Sequence, residues 1–294
     1  MRFRKDARLD TSQVEDYRGQ RTGGLPGGMP VTLGGGGGVI AIVVLLAFLF
    51  LGGGGGLGDL GSLAGQTVGP TGQPSGQLAQ DCKTGADANA REDCRIVAVI
   101  NSVQSYWGKT VRNYEPARTR FFEDAIQTGC GPASSATGPF YCPNDRYVYI
   151  DLGFFDQLQS KLGARGGPLA EAYVLAHEYG HHVQDLTGTL RRANNDTGPQ
   201  GGQVRVELQA DCFAGLWVGH ALDTGFVEDI TRRDVSDALD AAAAVGDDRI
   251  QQRTQGRVVP ESFTHGTSEQ RQSWFVRGLE GSGPNSCDTF SGRV

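Results

Sequence analysis

Apolar positions recur at helical spacing through much of the chain. In residues 91–110, Ile96, Val99, Ile100, Val103, Tyr106 and Trp107 fall three and four apart, which predicts an amphipathic helix with one buried stripe. The spacing returns in LAEAYVLAHEYGHHVQDL, where Leu169, Tyr173, Ala176, His177, Gly180, Val183 and Leu186 share a face. Gly166-Gly167-Pro168 suits the start of this helix and Gly188 its end. Residues 204–222 continue with Val206, Ala210, Phe213, Ala214, Trp217 and Ala221 in register, and the Ala-rich residues 234–252 predict another helix. Thr267 with Gln270 has capping-box spacing ahead of a short helix carrying Trp274 and Phe275. Residues 146–152 (RYVYIDL) are aromatic and β-branched and predict a strand, suited to line a cleft and pair with an extended peptide, or to serve as a plain sheet element. Residues 128–143 are turn-rich and predict a loop stapled by Cys130 and Cys142.

The N-terminal quarter follows a different pattern. Residues 1–32 are polar, Arg-rich and broken by Gly and Pro, which predicts a disordered, cytoplasmic basic tail. Residues 33–58 carry no charge and residues 39–51 are wholly apolar; with their glycine flanks they reach about twenty residues, enough for the roughly 30 Å hydrocarbon core of a bilayer. A single transmembrane anchor over residues 33–57 is therefore expected, with the lipid bilayer as a partner. Basic residues precede it and none lies between residues 52 and 82, so the expected orientation in a bacterial cell membrane is N-terminus cytoplasmic and the C-terminal bulk extracytoplasmic. The long polar leader argues against a cleaved signal peptide. Residues 58–80, rich in Gly, Gln, Pro and Ser, read as a stalk, and residues 81–294 as the folded domain.

Charge and cysteine content narrow the function. The formal net charge is −6, and residues 1–33 hold six basic against four acidic groups, leaving 21 basic and 29 acidic groups in the remainder. An acidic main domain is a poor nucleic-acid binder, so no nucleic-acid partner is expected. All six cysteines lie after the apolar run, which points to an oxidising compartment and three disulfides. Six cysteines allow fifteen pairings; proximity favours Cys82 with Cys94 and Cys130 with Cys142, leaving Cys212 with Cys287.

His177-Glu178-Tyr179-Gly180-His181 is an H-E-x-x-H sequence, which on a helix lets both imidazoles reach one ion with Glu178 beside whatever that ion binds. A hydrolytic zinc site takes three protein ligands and leaves a position open. A third histidine six residues beyond His181 is ruled out by Thr187. The best remaining donor is Glu207 on the next helix, because Asp211 four residues on can accept the outward N–H of a ligating histidine. His182 is turned about 100° from His181 and cannot share the ion; Asp185 is not taken as a ligand.

The segments AHEYGHHVQ, VELQADCFAG, FTHGTSEQR and the terminal CDTF resemble a membrane-anchored bacterial family of putative neutral zinc metallopeptidases, of the type whose third ligand is a glutamate. The resemblance implies an α+β, mainly helical zincin-like domain with a small β-sheet, one zinc ion on His177, His181 and Glu207, and Glu178 as the catalytic residue. The expected fold is that domain preceded by one transmembrane helix, and the expected activity is cleavage of a peptide or protein substrate in the cell envelope. His265, in the loop before the last helix, is the candidate donor to the developing oxyanion, with Tyr149 a weaker one. The rival expectation is a non-catalytic envelope binding or assembly module with a structural or vestigial metal, which a closed four-ligand site would favour.

Overall fold

The computed structural model describes residues 1–20, 73–194 and 196–294. Strands β1 (Arg2–Phe3) and β2 (Val14–Asp16) come first, followed by helices α1 (Gln77–Asp81), α2 (Gly85–Ala90) and α3 (Glu92–Thr110). A strand-rich stretch then supplies β3 (Arg118–Phe121), β4 (Ala125–Thr128), β5 (Gly131–Ser134), β6 (Phe140–Cys142) and β7 (Tyr147–Ile150). Helices dominate the rest: α4 (Gly153–Ser160), α5 (Pro168–Thr187), α6 (Gly202–His220), then strand β8 (Val227–Asp229), and α7 (Arg232–Ala244), α8 (Asp247–Gln255) and α9 (Ser268–Leu279). The chain is thus mainly helical with small sheets.

The four-stranded sheet has the order β2-β3-β7-β6, with β2, β3 and β7 parallel and β6 antiparallel to β7. Strands β4 and β5 form a hairpin, and β1 pairs with β8. The loop expected over residues 128–143 therefore contains strand structure, stapled as anticipated by Cys130–Cys142. Strand β7 is internal, flanked by β3 and β6, so the free edge beside the helices belongs to β6.

Helix α5 is buried along nearly its whole length, from Leu169 to Gln184. It starts with Pro168 and ends at Gly188, whose φ of 77° is the left-handed conformation a helix stop requires. Glycines let its neighbours come close. A Cβ on Gly180 would lie 3.0 Å from the Cα of Ala210 in α6, and one on Gly278 of α9 would overlap the carbonyl of Cys212 in α6. The helix expected over residues 234–252 is broken after Ala244: the Asp247 amide turns to donate to the Gly266 carbonyl (2.9 Å), and a side chain on Gly246 would strike the Ser268 amide. The last helix has the expected cap, with Thr267 accepting from the Gln270 amide.

Two expectations about the N-terminal quarter are corrected. Residues 1–20 are not a disordered tail: Phe3 and Val14 enter the main core, β2 extends the sheet, and the Met1 ammonium pairs with Asp234. Sequence pattern missed this because two- and three-residue strands carry no periodicity. The fold preceded by a transmembrane helix is also overturned: among the described residues no helix is long and apolar enough to cross a membrane. Residues 33–57, where that helix was expected, lie outside the described residues. The Ser75 amide donates to the Asp16 carbonyl (2.7 Å), and residues 1–20 share a core with the domain from residue 73 onward.

Candidate metal centre

Helices α5 and α6 cross at Gly180, and the crossing brings the H-E-x-x-H residues against Glu207. The Nε2 of His177 is 3.1 Å from Glu207 Oε2, and the Nε2 of His181 is 3.4 Å from Glu207 Oε1. One donor atom from each of His177, His181 and Glu207 lies within 4.8 Å of the others, and among the described residues no fourth His, Cys, Asp or Glu joins them. All three side chains are at most 2 % exposed, so water does not satisfy them.

The outward nitrogens are committed. His177 Nδ1 meets Asp211 Oδ1 at 2.8 Å, and His181 Nδ1 meets Gln184 Oε1 at 2.8 Å. A proton on each Nδ1 leaves both Nε2 lone pairs facing Glu207. Asp211 is the expected orienting group; Gln184 is new. Its amide donates to the Val206 carbonyl (2.7 Å) and to Gln209 Oε1 (3.0 Å), which prevents it from rotating. Arg271 of α9 is also new: fully buried, it donates to both oxygens of Asp211, at 2.8 and 2.9 Å. Tyr173 completes this cluster with a hydroxyl bond of 2.6 Å to Asp211. Arg271 shares the buried stripe of α9 with Trp274, Phe275 and Gly278, at helical spacing, but its charge hides it from a reading of apolar positions. The nearest sequence signal is the glycine in each of the helices α6 and α9, Gly215 and Gly278, that permits their close approach.

Against this fully bonded background, three inward atoms are left without a hydrogen bond: His181 Nε2, Glu207 Oε1 and Glu178 Oε1. The 3.4 Å approach of the first two is an ion-pair contact without hydrogen-bond alignment. Orphaned buried atoms are costly, and those of His181 and Glu207, within one cluster with His177, fit a divalent cation. Two neutral imidazoles and one carboxylate suit zinc.

Electrostatics agree with this arrangement. Burial works against the charge on Glu207, but the two histidines outweigh it and hold its pKa well below the usual carboxylate range. Burial likewise opposes ionisation of Asp211, yet Arg271 and His177 keep its pKa low. His177 is disfavoured as a cation by burial, but Asp211 and Glu207 leave its pKa raised. Glu178 differs: burial dominates and pushes its carboxyl up to about 8, although its Oε2 accepts the Tyr141 amide of β6 at 2.9 Å. Tyr141 is thereby a further residue at the site that the sequence did not single out. Its hydroxyl donates to Asp185 (2.9 Å) and lies 3.1 Å from His182 Nδ1, so these two polar groups anchor the edge strand and are not ligands.

His265 is buried in the loop before α9, not solvent-exposed. Asp247 holds it, accepting the His265 amide at 2.7 Å and lying 3.2 Å from its Nδ1. Burial opposes its charge, but Asp247, and beyond it Glu207, leave its pKa raised. The loop thus holds a buried histidine whose charged form is favoured by Asp247 and, beyond it, Glu207. Tyr149 is spent on Asp145, 2.6 Å away, and stacks on Phe140. The three expected disulfides are all formed, and Cys212–Cys287 ties α6 to the segment after α9.

The comparisons with known proteins agree with this geometry. The family model described as putative neutral zinc metallopeptidase matches residues 1–290. The chain belongs to that family. The match includes residues 1–20, in keeping with their place in the fold. Relatives in this family include the uncharacterized protein Rv2575 of Mycobacterium tuberculosis, 52 % identical over 226 residues, covering 74 % of this chain and 77 % of the relative. The uncharacterized protein YpfJ of Escherichia coli K12 is 45 % identical over 231 residues, 75 % of this chain and 78 % of its own. No solved structure matches. Family membership implies zinc, and the His177, His181 and Glu207 cluster is where this chain can hold it.

Proposed function

We propose that the protein is a zinc-dependent peptidase that hydrolyses peptide bonds with Glu178 as general base. The observation that carries this reading is the set of three orphaned inward atoms. His181 Nε2 and Glu207 Oε1 are suited to a cation, and Glu178 Oε1, on the residue next to His177, has no hydrogen bond. A zinc ion held by His177, His181 and Glu207 would supply Lewis acidity and lower the pKa of a water in its open position.

The protein's own groups do the rest. Tyr141 fixes one oxygen of Glu178, so the other can take a proton from the attacking water and pass it to the leaving amine. A carboxyl raised to about 8 by burial is poised for such transfer near neutral pH, and a bound cation pulls it lower. His265, whose charged form Asp247 favours, is suited to donate toward negative charge developing on the former carbonyl oxygen. The three-donor set supports a hydrolytic site over a structural one, which would be closed by a fourth protein ligand. The three disulfides support an oxidising compartment for the reaction.

The test is Glu178→Gln. The variant is expected to bind one zinc as the wild type does and to lose at least about a hundredfold in peptide cleavage. Retained cleavage in a zinc-loaded Glu178→Gln protein would refute the assignment.

A further inference from the structure

The proton on His181 is fixed from further away than its own partner. Gln184 could offer the ring either end of its amide. The oxygen keeps the proton on Nδ1; the nitrogen would make Nδ1 an acceptor and move the proton to Nε2, where a metal ligand needs a lone pair. Behind Gln184 stand only acceptors. The Val206 carbonyl takes its N–H at 2.7 Å and Gln209 Oε1 at 3.0 Å, which leaves the amide oxygen facing His181 Nδ1 at 2.8 Å. Gln209 is oriented the same way, because its nitrogen donates to the Cys287 carbonyl at 2.9 Å and so turns its oxygen toward Gln184. Gln184 and Cys287 are fully buried and Gln209 nearly so, and water does not replace a partner lost from this relay.

The far end of the relay is the segment that the third disulfide holds. Cys287 closes a short turn after α9 (Pro284–Cys287), and its bond to Cys212 joins that turn to α6 three residues beyond Gln209. Two hydrogen bonds flank it: the Thr289 hydroxyl donates to the Arg205 carbonyl at 2.7 Å, and Arg277 Nε to the Ser286 carbonyl at 2.8 Å. Both are reached by solvent, whereas the disulfide is covalent and buried. We propose that Gln209 is a positioning residue for the metal ligand His181, that the Cys212–Cys287 bond holds it there, and that the centre reaches full zinc affinity only once this bond has formed. The oxidation passes two electrons and two protons from the Cys212 and Cys287 thiols to a disulfide-bearing oxidant, which leaves as a dithiol. A chain still in a reducing compartment then holds zinc weakly, and metal loading follows oxidation. This deepens the zinc reading above and does not depend on peptide cleavage.

Zinc affinity is measured by chelator competition on the full-length protein, with folding checked by circular dichroism. Gln209→Met keeps the length of the side chain and removes both hydrogen bonds. It and Cys212→Ser/Cys287→Ser are each expected to weaken zinc binding by at least about tenfold. Cys82→Ser/Cys94→Ser is the control, since that bridge holds no member of the relay, and should change affinity by less than about twofold. In a Gln209→Met background, loss of Cys212–Cys287 should add less than about twofold, because both changes cut one path. In zinc-loaded protein with 15N-labelled histidine, the His181 Nδ1 proton should exchange with water faster in both variants and unchanged in the control, which a general loss of stability would not produce. Equal zinc affinity in wild type and Gln209→Met overturns the positioning role. An affinity unmoved by loss of Cys212–Cys287, or lowered as much by the control, overturns the link to oxidation; Cys212→Ala/Cys287→Ala replaces the serine pair if that does not fold. Wild-type protein that binds no zinc overturns this proposal and the zinc reading together. Zinc binding with these dependences but no peptide cleavage leaves it standing and removes the peptidase reading alone.

Discussion

Replacing Asp211 by asparagine removes one charge and almost no volume from the most heavily used carboxylate of the site. Asp211 accepts from Tyr173, His177 and, twice, Arg271, all fully buried. At 2.8 Å and an effective dielectric constant of about 20, the Asp211–Arg271 attraction is about 6 kcal/mol, much of which offsets the cost of burying both ions. Asp211→Asn removes the attraction and leaves Arg271 charged in the core, so a loss of about 3–5 kcal/mol in urea unfolding is expected. The amide also holds the His177 proton less firmly, and zinc affinity measured by chelator competition should fall about 10- to 100-fold. The double variant Asp211→Asn/Arg271→Met separates the two effects. With no orphaned charge it should recover most of the stability while zinc affinity stays low. Should the single variant cost under about 1 kcal/mol, or the double variant restore zinc affinity, the account of Asp211 as an anionic orienting group is wrong.

Three further outcomes are expected. Gly180→Ala presses a methyl group against the Ala210 backbone, so it should cost about 1–3 kcal/mol and weaken zinc binding by spreading α5 from α6, as read by thermal unfolding with and without zinc. Glu178 has a folded-state pKa of about 8 in the metal-free protein, above its ordinary value. The stability it contributes is fully present below that ordinary value and lost as pH rises through about 8, so the metal-free protein should be about 3 kcal/mol less stable at pH 9 than at pH 6 on its account, a difference that Glu178→Gln removes. Replacing both Cys212 and Cys287, 75 residues apart, by serine should cost about 4.5 kcal/mol by loop entropy, against about 3 kcal/mol for either bridge across 12 residues, measured by urea unfolding.

What could be read from the sequence was whatever a single helix encodes by itself. His177, Glu178 and His181 are fixed by helical spacing, Glu207 and Asp211 by the same spacing one helix later, and the two short disulfides by proximity. What could not be read depends on which elements meet. Arg271 and Gln184 lie on the buried stripes of α9 and α5 by spacing, but as polar residues they are passed over until the packing of those helices against α6 supplies their partners. Tyr141 reaches Glu178 through a backbone amide, which has no side-chain signature at all. Asp247 is separated from His265 by 18 residues and by a helix break that an alanine run concealed. Residues 1–20 were misjudged for the same reason: their order comes from partners in β3, β8 and α2, far along the chain.

The way the chain leaves and re-enters the domain has a practical consequence. The Gln20 side-chain amide donates to the Gln73 carbonyl, so the two points bounding residues 21–72 are neighbours in space. A bridge of about five residues can span that gap. Excision therefore yields a miniature protein with β1, β2 and every metal-facing side chain retained, in which the contribution of the apolar run can be assayed by simple subtraction.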